Sequence, residues 1–358
     1  MKGERTENMN QWKKRVTALG LAGMLAVTGL TGCGSMNNDD VVATVGESEI
    51  KLGVANFYAR MQQAQYETYY AGMMGTTGEE LWAKETDGKT YEQSVKSDMI
   101  KSLENIYILE QHASEYDVVL SEDEKKAIEK AAEEFDENNA LEDKEAVSGY
   151  NKYVKKVLEL LTIQSKMEDA MTADVDTEVS DDEAAQKAMK YVFYSYTKDE
   201  NDSTSTMSET EKTEVKKKAT DFAEKLKNSD TKDIDAVANE AGMEVQTATF
   251  DSESTSPNAD LVKAADALTA EGDVTDAIET DSGIYVAKVT SFLDRTATDA
   301  KKQSIVEERK KDQYDDLLKK WRKKTDINLN KRVWKKVDFQ KQGVTVKDTS
   351  GNTEESAE

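Results

Sequence analysis

The stretch Tyr191-Val192-Phe193-Tyr194-Ser195-Tyr196 consists almost entirely of aromatic and β-branched residues, which favour β-strands. A second stretch, Gly283-Ile284-Tyr285-Val286-Ala287-Lys288-Val289, has the same character. Between the two, apolar residues at helical spacing predict two helices, a strand over 245–250 and a helix through 261–268. The order strand, helix, helix, strand, helix, strand predicts a small α+β domain over residues 184–294.

The region before this domain is predicted to be mostly helical. Val41–Val45 predicts a short strand, and residues 51–170 carry successive apolar stripes at helical spacing. The capping box that begins at Ser121 marks the start of one of these helices. The chain as a whole is therefore predicted to be α+β and mostly α.

The carboxyl-terminal part is predicted in three pieces. Residues 297–324 form a long basic amphipathic helix, which either contacts a membrane or partner or docks its apolar stripe on the protein. Val333–Phe339 predicts a final strand, and residues 341–358 predict a disordered tail. Upstream, the Ser/Thr-rich segment 201–208 predicts a flexible loop.

The residue pattern at the amino terminus is typical of a secretory signal peptide. Basic residues at 13–15 precede an apolar stretch, Val16 to Leu30, and the stretch ends in Leu30-Thr31-Gly32-Cys33. A cysteine after Leu-Thr-Gly resembles the lipobox of bacterial lipoproteins. The resemblance implies a signal peptide over residues 1–32, lipidation of Cys33 and a tether over 33–40. An ordinary signal peptide with an incidental cysteine is the alternative.

Composition excludes several classes of function. The 358-residue chain has a formal net charge of −24, which argues against sequence-independent nucleic-acid binding because that needs basic patches facing phosphates. Cys33 is the only cysteine and His112 the only histidine, so a His-rich or Cys-based metal site is not expected. No cofactor motif is present in the sequence, and we predict neither a cofactor nor a metal.

Two segments resemble the PrsA-like foldase lipoproteins and their SurA-like chaperone relatives. They are Val42-Ala43-Thr44-Val45-Gly46, and the helix 95–116 with the following Val119-Leu120-Ser121-Glu122-Asp123-Glu124. The resemblance implies a helical chaperone domain over 41–182, completed by 296–340.

The domain over 184–294 resembles a parvulin-type peptidyl-prolyl isomerase. The resemblance rests on Ala264-Ala265-Asp266-Ala267-Leu268, on Gly272-Asp273-Val274 and on the strand that contains Tyr285. The parvulin pattern has histidines where this chain has Tyr191 and Tyr285, and Leu261 stands where an aromatic residue usually lines the proline pocket. The resemblance makes Tyr191 and Tyr285 candidate catalytic residues and Phe193 and Leu261 candidate proline-binding residues. The domain is then either an active isomerase or a domain that only binds polypeptides.

An aromatic and methionine cluster beside glycines predicts an adaptable apolar contact surface, or else a loop that packs onto the core. The candidate client-binding residues of the helical domain are Phe57, Tyr58, Met61, Tyr66, Tyr69, Tyr70, Met73 and Met74.

Three functions follow as hypotheses. The first is a lipid-anchored chaperone or foldase on the extracytoplasmic face of a bacterial cell membrane, which binds unfolded or partly folded secreted proteins. The second is an active peptidyl-prolyl isomerase, and the third is a solute-binding lipoprotein, which the long helical segment disfavours. The expected partners are unfolded proteins and the lipid bilayer through acylated Cys33, with no nucleic acid; homodimer formation stays open.

Overall fold

The computed structural model describes residues 25–28, 36–199 and 202–346. The chain forms two compact units. The first comprises the residues up to Asp174 and those from Lys311 onwards, and the second comprises Val175–Lys310. The fold is α+β and mostly helical, as the sequence predicts.

The strands of the described residues are β1 Leu25–Thr28, β2 Val41–Val45, β3 Ser48–Lys51, β4 Glu85–Thr86, β5 Lys89–Thr90, β6 Lys187–Ser195, β7 Thr197–Asp199, β8 Asp202–Thr206, β9 Gln246–Phe250, β10 Ile278–Glu279, β11 Gly283–Ser291, β12 Ile327–Leu329 and β13 Gly343–Val346. The α-helices are α1 Leu52–Gln65, α2 Ala71–Met73, α3 Gly78–Ala83, α4 Tyr91–His112, α5 Glu122–Asn138, α6 Leu141–Val147, α7 Asn151–Met171, α8 Asp181–Ala184, α9 Glu209–Asn228, α10 Ile234–Ala241, α11 Ala259–Asp266, α12 Arg295–Lys324 and α13 Lys331–Trp334. A π-helix, Tyr66–Tyr70, joins α1 to α2, and a 3-10 turn, Ala113–Tyr116, follows α4.

The core of the first unit surrounds α1. This helix is buried on nearly all sides, which is typical of a helix at the centre of a domain. Phe57 packs edge-to-face on Phe135 of α5, with ring centroids 5.3 Å apart. Arg60 is also buried, and its guanidinium donates to the carbonyl oxygens of Asp338 and Gln342, at 3.1 and 3.0 Å. Residues 338–342 are thereby held against the central helix.

The end of α12 also belongs to the first unit. Leu318 is buried there, and Trp321 stacks on His112 at the end of α4, with ring centroids 4.2 Å apart. Arg322 pairs with the carboxylate of Glu104. The apolar stripe of this basic helix therefore docks on the protein, while β12 continues the sheet by pairing with β2.

A four-stranded sheet, in the order β10-β11-β6-β9, forms the centre of the second unit. β11 and β6 are antiparallel, and Tyr285 lies opposite Phe193. Side chains alternate between the two faces of β6, as the pleat of a strand requires. Val192 packs under α9 and α10, whereas Tyr191 packs on the other face with α11.

Two local predictions differ from the structure. The predicted strand over Val333–Phe339 is wrong, because its first two residues belong to α13 and residues 335–339 form no strand. The Asn330 side chain caps α13 by accepting from the Val333 N–H. The loop predicted over 201–208 contains β8, which pairs with β7 in a hairpin.

The ends of the chain differ from expectation where they are described. Residues 343–346, placed in the disordered tail, form β13 and pair with β1. Residues 347–358 lie outside the described residues, as do Cys33 and most of the predicted signal peptide. Among the described residues, no helix has both the length and the apolar content that crossing a membrane requires.

Candidate functional site

The two candidate catalytic tyrosines lie together on one face of the second unit's sheet. β6 carries Tyr191 and β11 carries Tyr285, and their ring centroids are 5.9 Å apart. Phe193 stacks on Tyr285, with centroids 4.4 Å apart. The Tyr191 hydroxyl donates to Gln246 Oε1 at 2.6 Å, across the pair that joins β6 to β9. The structure thus forms an aromatic cluster from residues that the sequence places far apart.

Both phenols stay protonated at neutral pH. Burial, and secondarily the charge on an ionised Tyr285, raise the pKa of Tyr191. Burial also raises the pKa of Tyr285. The pair can therefore donate or accept hydrogen bonds but supplies no group that titrates near pH 7.

Three of the four predicted residues of the second unit are buried. Leu261, the candidate floor of a proline pocket, is 0% exposed and lies in the core with Tyr191 and Tyr285. Phe193 alone of the four predicted residues is only partly buried. Gln246, which sequence reasoning missed, holds the Tyr191 hydroxyl; only the strand register reveals it. In this conformation Tyr191, Tyr285 and Leu261 pack in a core and expose little of their side chains.

The predicted client-binding residues of the first unit divide into core and surface. Phe57, Tyr58 and Met61 are 0, 6 and 1% exposed, and in this conformation they lie in the core around α1 rather than on the surface. Tyr66 is partly buried against that core. The remaining four form the surface that we call the Tyr/Met patch: Tyr69, Tyr70, Met73 and Met74, which are 59, 54, 85 and 56% exposed.

The Tyr/Met patch lies on the π-helix Tyr66–Tyr70 and the short α2 after it. Residues three and four apart on a helical segment are neighbours, so Tyr70 and Met73 adjoin on its surface. Large exposed apolar side chains that cluster are uncommon on the surface of soluble proteins, whereas single ones are ordinary. Methionine adapts its shape to different partners, which suits a surface that meets many sequences.

Aromatic packing supports the patch from beneath. The Tyr66 ring contacts Tyr70 at 5.2 Å and Trp82 at 5.6 Å between centroids. Trp82 stacks on Tyr91 at 5.7 Å and packs on Phe339 at 5.0 Å. The exposed segment therefore packs on a cluster of aromatic side chains.

Glu67 connects the π-helix to the rest of the unit. Its carboxylate accepts from the Gln63 side chain and from Trp82 Nε1, both at 2.6 Å, and from the Val344 N–H at 2.8 Å. Burial raises the pKa of Glu67, and the hydrogen bonds from Gln63, Trp82 and Val344 oppose part of that rise. Sequence reasoning missed this residue, because a lone glutamate among tyrosines carries no motif.

A groove of about 570 Å³ also lies in the first unit, between the end of α7 and α12. Its lining includes Tyr116, Met171, Gln313, Leu317 and Lys320. None of the predicted site residues lines it.

Comparison with known proteins gives fold likenesses only. No protein-family model matches the chain, and no curated protein matches it. Foldase protein PrsA from Streptococcus pneumoniae is 20% identical, with 72% of this chain and 98% of that chain covered and a TM-score of 0.29. Foldase protein PrsA from Lactococcus lactis is 12% identical, with 83 and 97% covered and a TM-score of 0.33. A structure from a study of SurA-like chaperones of Campylobacter jejuni is 12% identical, with 81 and 98% covered and a TM-score of 0.28.

The chain is thus similar to proteins described as foldases and chaperones, at low identity and low TM-score. We base the functional proposal on the chain's own residues.

Proposed function

We propose that this protein is an extracytoplasmic chaperone or foldase that binds unfolded secreted polypeptides through the Tyr/Met patch of its first unit. The observation that carries the proposal is the concentration of four large, exposed apolar side chains in one short segment, Tyr69–Met74. Unfolded chains expose apolar residues of varied shape, and a methionine- and tyrosine-rich surface can pack against many of them. The net charge of −24 supports solubility of the loaded complex.

The other large exposed apolar residues provide a control for this proposal. Val119 is 68% exposed and lies in the same unit, but it belongs to the segment between α4 and α5 and not to the patch. Single exposed apolar residues are ordinary features of protein surfaces. If the patch binds clients, client binding should therefore be weakened by substitution of Met73 and unchanged by substitution of Val119.

The test is suppression of aggregation of a chemically unfolded protein, followed by light scattering. Complete burial of a methionine side chain contributes about 1.5–3 kcal/mol, so Met73→Glu should weaken client binding about tenfold or more. Val119→Glu introduces the same charge and should leave suppression unchanged. Equal effects of the two substitutions, or no suppression by the unaltered protein, would overturn the proposal.

The second unit is proposed to be a parvulin-like domain over 184–294 that serves binding or structure rather than catalysis. The burial of Tyr191, Tyr285 and Leu261 supports this assignment, because these side chains expose little surface that a proline ring could contact. Amide rotation has a barrier of about 18–20 kcal/mol, and lowering it requires that the enzyme hold the twisted amide in a site. The helical chaperone domain is proposed over 41–182, completed by 296–340.

Membrane attachment is proposed through Cys33, which lies outside the described residues. The lipobox-like Leu30-Thr31-Gly32-Cys33 supports it. Two or more acyl chains on one cysteine give stable anchoring, whereas one gives only marginal binding. Cys33→Ser should move the protein from the membrane fraction to the soluble fraction of the producing cells; retention in the membrane fraction would contradict the anchor.

A further inference from the structure

A slot on the first unit is filled by the chain's own predicted signal segment. β1, Leu25–Thr28, pairs antiparallel with β13, and Leu25 is 0% exposed. The Leu25 N–H donates to Asn139 Oδ1 at 2.8 Å, and the Asn139 Nδ2 donates to the carbonyl of Phe135 at 2.8 Å. A four-residue extended segment is thus held both by a strand edge and by a side chain that is itself 6% exposed.

The hydrogen bonds of β13 define two different edges. On one edge, the Val344 N–H donates to Glu67 Oε2 at 2.8 Å and the Val346 N–H donates to Thr68 Oγ1 at 2.9 Å. Alternate backbone groups of a strand point in opposite directions, so the N–H groups of Gly343 and Thr345 face β1. One edge is hydrogen-bonded to the π-helix, and the other pairs with β1.

The slot selects apolar side chains at alternate positions. Leu25 lies opposite Val346 and Val27 opposite Val344, and Val344 is 0% exposed. These pairs share the face that packs on the core of the unit, whereas Thr28 is exposed. Strand addition of this kind obtains affinity from backbone hydrogen bonds and specificity from pockets for alternate side chains.

The slot adjoins the Tyr/Met patch. The π-helix that carries Tyr69 and Tyr70 is the element whose Glu67 and Thr68 hold the inner edge of β13. A polypeptide bound at the slot would therefore meet the patch through the same short element.

We propose that this slot is a peptide-binding site for extended segments of unfolded polypeptide with bulky aliphatic residues at alternate positions, and that the precursor's own Leu25–Thr28 fills it until processing. The inference rests on the proposed function, since removal of residues 1–32 is what would empty the slot. The occupant adds to β13 as an antiparallel strand, with one aliphatic side chain in the place of Leu25 and its N–H on Asn139.

The experiment compares full-length chains that all carry Cys33→Ser, so that none is lipidated. Leu25→Asp/Val27→Asp puts two charges on the buried face of the segment and should expel it from the slot. Ala26→Asp/Thr28→Asp adds the same charges on the other face and should leave the segment seated. The probe is a fluorescent peptide with the sequence of residues 23–29 flanked by lysines, and binding is measured by anisotropy.

The expected result is at least tenfold tighter binding of the peptide by the Leu25→Asp/Val27→Asp chain than by the other two. Two N-methylated peptides then test the register. A methyl group on the nitrogen equivalent to Ala26 should weaken binding at least tenfold, because that N–H faces β13, whereas a methyl group on the nitrogen equivalent to Val27 should not. Equal affinities across the three chains, or equal effects of the two methyl groups, would overturn the proposal.

A chain that begins at residue 34 supplies a second form with an empty slot, should the double aspartate chain fail to fold. Folding of both forms is checked by thermal unfolding. If neither folds, β1 is an integral part of the unit and the proposal is wrong. A negative result for peptide binding at the slot can be distinguished from a negative result for the proposed function. The aggregation assay on Met73→Glu and Val119→Glu measures the contribution of the Tyr/Met patch only.

Discussion

Replacing Arg60 by methionine should destabilise the first unit strongly. The guanidinium is 2% exposed and donates to the carbonyl oxygens of Asp338 and Gln342 and, at 2.6 Å, to Gln63 Oε1. Burial lowers the pKa of Arg60 to about 10, and the nearby charges of Glu67, Asp338 and Glu92 oppose that fall. The arginine therefore remains charged at neutral pH, so its hydrogen bonds are charge-assisted.

The expected loss in the free energy of unfolding can be estimated from the hydrogen-bond acceptors that lose their donor in Arg60→Met. The Gln342 carbonyl would keep a donor, Gln63 Nε2 at 2.7 Å, but the Asp338 carbonyl and the buried Gln63 Oε1 would each lose the donor that Arg60 supplies. A buried acceptor without a partner costs about 1–3 kcal/mol, so these two acceptors give a loss of about 3 kcal/mol. With a slope of about 2–3 kcal/mol per molar urea, the unfolding midpoint should fall by about 1 M or more.

Tryptophan fluorescence during urea unfolding is a suitable assay, because Trp82, Trp321 and Trp334 all lie in the first unit. Arg332→Met is the matched control: it makes the same chemical change at an exposed residue of α13, where substitutions usually change stability by less than about 0.5 kcal/mol. A loss below about 1 kcal/mol for Arg60→Met, or similar losses in both variants, would refute the reasoning.

Two further predictions concern the second unit. The chain should not accelerate isomerisation of a short X-Pro peptide measurably, and Tyr285→Phe should leave that result unchanged; catalysis that the substitution removes would show that the buried cluster opens into an active site. Burial alone would raise the pKa of Asp251, but hydrogen bonds from Gln186, Ser254 and Lys301 outweigh it and lower the pKa. A carboxyl whose folded pKa is depressed stabilises the fold fully above its unfolded pKa of about 4, and that stabilisation is lost progressively as the pH falls from there through the folded pKa. Asp251→Asn should therefore cost about 1–2 kcal/mol at pH 7, and this cost should decrease steadily as the pH is lowered below about 4, measured by urea unfolding followed by circular dichroism; a cost that does not decrease below about pH 4 would contradict this account.

The regular elements of the second unit could be predicted from local pattern. The aromatic and β-branched residues of Tyr191–Tyr196 and of Gly283–Val289 are characteristic of strands, and the structure has strands at both places. The starts of helices could also be predicted, because a capping box such as the one at Ser208 is formed by residues close together in the sequence.

The division of the candidate client residues into core and surface could not be predicted. Phe57 and Met73 belong to one apolar and aromatic run, and neither periodicity nor composition separates a central helix from the exposed segment after it. The π-helix at Tyr66–Tyr70 shifts the helical phase at that point, so a constant spacing fails to place the residues beyond it.

Non-local pairing explains the remaining differences. Val333–Phe339 has aromatic and β-branched residues, yet Asn330 begins a helix there and Phe339 packs on Trp82, far away in sequence. β13 forms its hydrogen bonds with Glu67, Thr68 and β1, and no sequence pattern within residues 343–346 predicts those partners.

Site-specific photo-crosslinking at the Tyr/Met patch tests the central claim most directly. A benzophenone amino acid replaces Met73 in one sample and Val119 in the other, and each is illuminated with a reduced, unfolded protein and with the same protein in its native state. The account predicts crosslinks from position 73 to the unfolded protein only, and at most background from position 119. Equal crosslinking from both positions, or none from position 73, would contradict the claim that this patch binds unfolded clients.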